Sequence, residues 1–219
     1  MYPADINNLG QIAGSTQPAG SYTRAAVWDG ERIIDLGTLG GQYSYALALN
    51  DLMHVVGASE RAPGGDRIFY GFYWRDGQMI DLQGWGGTAL NNCGDFLETY
   101  LVDIGFIRVK DLIDPNLRWY QLNPEKLNDY GQIVGRGIKF DTGQWRAFLM
   151  TPIRGDMNRD GDVDLRDFAR LQNAFTGSLE PAIPGCERAD IDRDGDVDWA
   201  DMAMLGARLS GPGVAPPIP

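Results

Sequence analysis

The chain has 219 residues, 43% hydrophobic and 22% charged, with 29 glycines and 12 prolines; this is enough apolar material for a core and excludes a disordered tail, a helical bundle and a collagen-like repeat. Thirty acidic against nineteen basic residues leave a net charge of −11, and a surface of that sign repels nucleic acid and anionic membrane. No apolar run reaches the ~18 residues that a membrane span needs.

The start, Met1-Tyr2-Pro3-Ala4-Asp5, carries no export signal and runs directly into a repeated pattern, so further sequence upstream is expected. The two cysteines, Cys93 and Cys186, make no disulfide framework; whether they bridge stays open, and they do not reveal the redox compartment.

An Asn-centred unit opens the chain as Asp5-Ile6-Asn7-Asn8-Leu9-Gly10-Gln11-Ile12-Ala13-Gly14. It returns at Leu49-Asn50-Asp51, at Leu90-Asn91-Asn92 and at Leu127-Asn128-Asp129-Tyr130-Gly131-Gln132-Ile133-Val134-Gly135. The key asparagines stand 43, 41 and 37 residues apart. Each unit continues with an aromatic strand, a turn and a short apolar strand: Ala26-Val27-Trp28-Asp29-Gly30 then Ile33-Ile34-Asp35-Leu36-Gly37, and Phe72-Tyr73-Trp74-Arg75-Asp76-Gly77 then Met79-Ile80-Asp81-Leu82. Asp-Gly between apolar runs signals a hairpin whose central residues take positive φ, and the Asn turns bond their own backbone. Four short strands in about 40 residues is the size of a propeller blade. The expectation is therefore an all-β repeat domain over 1–152, propeller-like, with about four four-stranded units of which the last lacks a strand. A β-solenoid or an irregular sandwich is the alternative. The blocks Asn-Asn-x-Gly-Gln-Ile, Ala-x-x-Trp and Asp35-Leu36-Gly37-Thr38-Leu39-Gly40-Gly41 resemble the HAF-type repeats of extracellular bacterial proteins, which implies architecture more than activity.

Catalytic residues are not expected in this part. The single histidine, His54, stands where other units carry Gln11 or Gln132. Asp35 and Asp81 occupy equivalent repeat positions, which suits a turn role better than an acid/base pair that needs unlike surroundings. Trp28, Trp74, Trp85 and Trp119 either pack between units or reach the surface and stack on sugars.

The tail holds a duplicated acidic loop, Asp156-Met157-Asn158-Arg159-Asp160-Gly161-Asp162-Val163-Asp164-Leu165-Arg166-Asp167, repeated 34 residues on as Asp190-Ile191-Asp192-Arg193-Asp194-Gly195-Asp196-Val197-Asp198-Trp199-Ala200-Asp201. Calcium wants six to eight oxygens, and a twelve-residue loop supplies them from positions 1, 3, 5, 7, 9 and 12, with glycine at 6 for the sharp turn. In the first loop Asp156, Asn158 and Asp160 offer side-chain oxygens, Asp162 its carbonyl, Asp164 a water bridge and Asp167 both carboxylate oxygens. In the second the same roles fall to Asp190, Asp192, Asp194, Asp196, Asp198 and Asp201. Two Ca2+ ions are expected, with folding dependent on them, because five and six aspartates crowd each loop. Val163 and Val197 should face inward. Helix-spaced stripes follow, Phe168, Leu171 and Phe175 in one copy and Met202, Leu205 and Leu209 in the other. Thr151-Pro152-Ile153-Arg154-Gly155 and Pro181-Ala182-Ile183-Pro184-Gly185 rule out an entering helix.

Two such half-hands joined by a linker resemble a dockerin. The resemblance implies a small all-α domain over 153–212, a cohesin-like protein partner, and an extracellular or cell-surface setting tied to polysaccharide degradation or adhesion. Partner contacts would fall at loop positions 10 and 11, Leu165, Arg166, Trp199 and Ala200; for Trp199, core packing is the alternative. Residues 213–219 read as a disordered end. The functional expectation is a secreted, non-catalytic repeat protein carrying a docking module. Its rival is a fragment of a glycoside hydrolase or carbohydrate-binding protein acting on polysaccharide.

Overall fold

The computed structural model of the chain describes residues 1–62, 68–84, 86–92, 96–97, 100–101, 107–108, 118–157, 161–182 and 188–209. Contacts divide the chain into two compact units, Met1–Glu98 and Thr99–Pro219.

The first unit contains two four-stranded antiparallel sheets. One is formed by β1 (Tyr2–Ile6), β2 (Ile12–Thr16), β3 (Arg24–Trp28) and β4 (Ile33–Gly37), the other by β5 (Ser44–Leu49), β6 (Val55–Glu60), β7 (Phe69–Arg75) and β8 (Gln78–Asp81), each in sequence order. The third unit does not repeat this plan: β9 (Ala89–Leu90) pairs with β10 (Phe96–Leu97), and in the second compact unit β11 (Tyr100–Leu101) pairs with β12 (Ile107–Arg108). The fifth sheet has three strands, β13 (Trp119–Leu127), β14 (Ile133–Lys139) and β15 (Trp145–Met150).

The propeller expectation is overturned. The described strands form five separate sheets that do not close into a ring, and only two have four strands. The unit around Asn91 departs most, and there the Asp-Gly turn and the aromatic strand of the first two units are missing from the sequence. The dockerin region is likewise not a small all-α domain. It has two short helices, α1 (Leu165–Ala174) and α2 (Trp199–Gly206), set among loops and one isolated bridge between Pro181 and Asp196. Two twelve-residue loops and a Pro- and Gly-bearing linker leave little chain for helix.

The Asn7, Asn50 and Asn128 turns are built alike. The Asn7 Oδ1 accepts the Leu9 and Gln11 N–H groups, and the Asn50 Oδ1 accepts those of Leu52 and His54. The fourth residue of the turn is left-handed: Gly10 at φ +79°, Gly131 at +73° and, in the second repeat, Met53 at +59°. The Asn side chain also joins neighbouring repeats. Nδ2 of Asn7 donates to the Asn50 carbonyl at 3.0 Å, and Nδ2 of Asn50 donates to the Asn91 carbonyl at 3.0 Å. A second rail runs beside it through the next residue: Asn8 bonds Asp51 through its N–H and its side-chain amide, and Asn92 exchanges bonds with Asp51. In the apolar core, Ala13 and Val27 of the first sheet pack with Ala46, Leu49, Val55 and Phe72 of the second. The opposite face of the second sheet, Ala48 and Val56, receives Phe96 and Leu90.

The register explains a glycine in every clear copy of the motif. The first strand of each sheet bulges at the same place, between Pro3 and Asp5, Ala46 and Ala48, and Pro124 and Lys126. Opposite the bulge stand Gly14, Gly57 and Gly135, where a Cβ would lie 2.1, 2.0 and 2.3 Å from a carbonyl oxygen of the bulged strand. The Asp-Gly hairpins differ in detail: Asp76 and Gly77 both take positive φ, whereas only Gly30 does so in the first repeat, where Asp29 instead accepts the Glu31 and Arg32 N–H groups.

Two outcomes test this account. Gly57→Ala forces the bulged strand away and should destabilise the first unit by about 1–3 kcal/mol, read as a lower denaturation midpoint at unchanged slope. His54, half-buried with Nδ1 2.7 Å from the Tyr73 hydroxyl, is held below the ordinary imidazole pKa by burial and the Arg75 charge against the opposing pull of Asp76. Its neutral form stabilises the fold fully above the ordinary value of about 6.5, and that contribution is lost as pH falls through the lower, folded value. An NMR titration of the single imidazole should show the depressed midpoint, and His54→Gln should flatten the stability curve in that window.

Candidate calcium site

Each loop is organised by the carboxylate at its twelfth position. Asp167 accepts the Met157 N–H at 2.7 Å on one oxygen and the Asp164 N–H at 2.8 Å on the other. Asp201 does the same with Ile191, Asp192 and Asp198. Both side chains are fully buried. These aspartates are also the N3 residues of capping boxes, with Asp164 and Asp198 as N-caps accepting the Arg166 and Ala200 N–H groups. One carboxylate thus ties together the entry to the loop, the start of the exit helix and the ion position. The sixth-position glycines, Gly161 and Gly195, take φ +93° and +104°, and their N–H groups bond the first-position carboxylates of Asp156 and Asp190, both at 3.0 Å.

The acidic side chains converge. Asp162, Asp164 and Asp167 bring carboxylate oxygens within 4.8 Å of one another, as do Asp190, Asp192 and Asp194, and Asp196, Asp198 and Asp201. Asn158 and Asp160 lie outside the described residues. The sequence assigned Asp162 and Asp196 a backbone role, yet their carboxylates also join the clusters. Asp196 is buried, and its Oδ1 meets no hydrogen-bond partner among the described residues. Burial, and then the charges of Asp201, Asp194 and Asp190, hold the Asp192 carboxyl above its usual range, against the bond from the Asp194 N–H. An all-oxygen set of crowded carboxylates with an orphaned buried oxygen fits a hard divalent cation.

Val163 and Val197 are fully buried in one cluster with Met157, Ile191, Leu171 and Leu205. Phe175 caps α1, and Leu209 lies beyond α2, 45% exposed, so the stripes are shorter than expected. The sequence reading missed the linker's grip on the second loop. Thr176 and Gly177 donate their N–H groups to the Val197 carbonyl, Ser178 Oγ donates to Asp198, and the Leu179 N–H donates to Asp196 at 2.6 Å. The Ser178 bond, followed by that from the Ala200 N–H, holds the Asp198 carboxyl below its usual range. A signal existed, since Thr176-Gly177 recurs 34 residues on as Ser210-Gly211.

Leu165, Arg166, Trp199 and Ala200 are all exposed, with Trp199 at 72% and edge-on to Phe175 at 5.4 Å. In the repeats, Asp35 accepts the Gly37 N–H and Arg24, and Asp81 accepts the Gln83 N–H and both nitrogens of Arg61. Arg61 therefore holds the Asp81 carboxyl below its usual range. Trp28 and Trp74 are half-buried, and Trp119 packs on Gly137. Trp85, Cys93 and Cys186 lie outside the described residues.

Paired loop-helix elements with a common twelfth-position design define a calcium-binding module. Residues 154–210 match the dockerin type I domain, so the chain carries a dockerin near its C-terminus, a module that binds calcium and mediates cohesin-type assembly. No curated protein and no solved structure matches the chain. No helix among the described residues is long and apolar enough to cross a membrane.

Asp201→Asn keeps the shape of the side chain but halves its accepting capacity and removes a ligand charge. Losing one charge-assisted bond costs about 1.5–3 kcal/mol, so calorimetric calcium affinity at the second loop should fall about 10- to 100-fold. Circular dichroism should show the loss of α2 at calcium levels that saturate the unaltered chain.

Proposed function

We propose that the chain is a secreted, non-catalytic protein whose HAF-type repeats are anchored through the calcium-loaded dockerin to a cohesin-like partner in an extracellular or cell-surface assembly for polysaccharide degradation or adhesion. The observation that carries this is the duplicated loop in which Asp167 and Asp201 each couple the ion position to the start of a helix. On those helices the first residues, Leu165 and Trp199, project 74% and 72% exposed. Calcium in both loops neutralises the crowded carboxylates and fixes the two helix starts, and with them the surface that a cohesin would meet. Two ions are expected, one per loop. The repeats, with the equivalent carboxylates Asp35 and Asp81 engaged in turns and arginine pairs, support a scaffold better than an acid/base pair.

Binding of the full chain to a panel of recombinant type I cohesin domains, with and without chelator, tests the reading. At least one cohesin should bind only with calcium, and Trp199→Ala should weaken it at least tenfold, as expected of a central aromatic anchor. Calcium-independent binding, or none across the panel, would contradict it.

A further inference from the structure

The three-stranded sheet β13–β15 turns one face to solvent. Along β14 burial alternates strictly: Ile133, Gly135 and Gly137 are buried, Val134 and Arg136 exposed, and Ile138 half-buried. Cross-strand pairing places Trp145 beside Ile138, Ala147 beside Arg136 and Leu149 beside Val134, and partners directly opposite share a face. The face therefore runs three rungs, about 13 Å along the strands, from an indole that is 48% exposed to an apolar pair in which Val134 is 45% and Leu149 62% exposed. Polar groups sit beside the indole. Gln121, opposite Ile138, donates to the Asn123 Oδ1 at 3.0 Å, and Asn123 stands opposite Arg136. The Arg136 guanidinium lies 5.4 Å from the Trp145 ring centroid and 3.0 Å from Glu125.

Two observations select what covers this face. The equivalent positions in the first two repeats, Ala13 and Val56, are fully buried under the neighbouring repeat, and there the counterparts of Arg136 are the small residues Ser15 and Ala58. Covering an ion-paired arginine at that position with another sheet would cost its hydration, which disfavours a further repeat or a second copy here. The charge of Arg136 is met by Glu125, Lys126 stands opposite Val134 at the aliphatic end, and the chain as a whole, at net charge −11, repels polyanions. An exposed indole, aliphatic patches and side-chain amides on one face complement an uncharged polymer that has C–H faces and hydroxyl edges, which Lys126 can meet as a hydrogen-bond donor.

We infer that the outer face of β13–β15, centred on Trp145, is a binding site for a neutral polysaccharide. Sugar rings stack on the indole and lie over Val134 and Leu149, while Gln121, Asn123 and Arg136 bond their hydroxyls. The site shares no residue with the calcium loops and is independent of the docking reading.

The test uses the full chain with calcium. Affinity electrophoresis through xylan, mannan and mixed-linkage glucan, with pull-down on cellulose and chitin, should show retention by at least one neutral polymer. Polygalacturonate serves as the anionic control. Trp145→Ala should weaken that binding at least tenfold with calcium titration and circular dichroism unchanged, and the exposed Gln121→Ala should weaken it severalfold. Trp199→Ala should leave it intact. The inference falls if no neutral polymer is retained, if polygalacturonate binds more tightly than all of them, or if Trp145→Ala binds as the unaltered chain does.

Discussion

The docking module depends on a carboxylate that serves three neighbours at once. Burying an ion without compensation costs several kcal/mol, yet Asp167 and Asp201 are fully buried. Their partial compensation is the set of backbone N–H groups aimed at them from the loop entry and the helix start, and a bound cation would complete it. Loop closure and helix capping consequently share one side chain in each copy. The shorter Asp, in place of the Glu of an EF-hand, suits this arrangement because its oxygens reach back to the N-cap N–H of its own helix. Among the described residues no helix enters the first loop, as Pro152 and Gly155 before it dictate.

The repeats solve a different problem with similar economy. Short strands and tight turns leave many backbone groups to satisfy, and in the first two units one asparagine, Asn7 or Asn50, handles its own turn and reaches the next unit. The bulge opposite Gly14, Gly57 and Gly135 brings a carbonyl so close that a side chain has no room. The three-stranded sheet β13–β15 keeps this bulge and this glycine but replaces the small outward residue by Arg136. The same scaffold thereby changes from a packing surface to an open one.

Much of this was legible in the residues. The Asn spacing marked the repeat landmarks, and the duplicated loop marked where the carboxylates gather, though not that Asp162 and Asp196 would join through their side chains, because loop spacing and a positive-φ glycine are local properties. The turn role of Asp35 and Asp81 was also readable from their equivalence. Closure of the array was not legible: it depends on contacts between units, and strand periodicity carries no information about whether a row of sheets curls into a ring. The linker's hold on Asp196 and Asp198 escaped for a related reason, since Thr176, Ser178 and Leu179 look like ordinary turn residues until the fold brings them against the second loop. Trp145 was overlooked because it belongs to no repeated block; its exposure is a property of the sheet, not of the motif.

The amide rail between repeats has a direction. Asn7 and Asn50 each hand a proton donor forward to the carbonyl of the following unit, and both following units receive it at the same atom. A unit inserted between two others would find an acceptor ahead and a donor behind, whereas one turned end for end would meet like groups on both sides. An array with this polarity can lengthen by duplication of whole units, its grammar intact, while inversions are barred at the level of single hydrogen bonds.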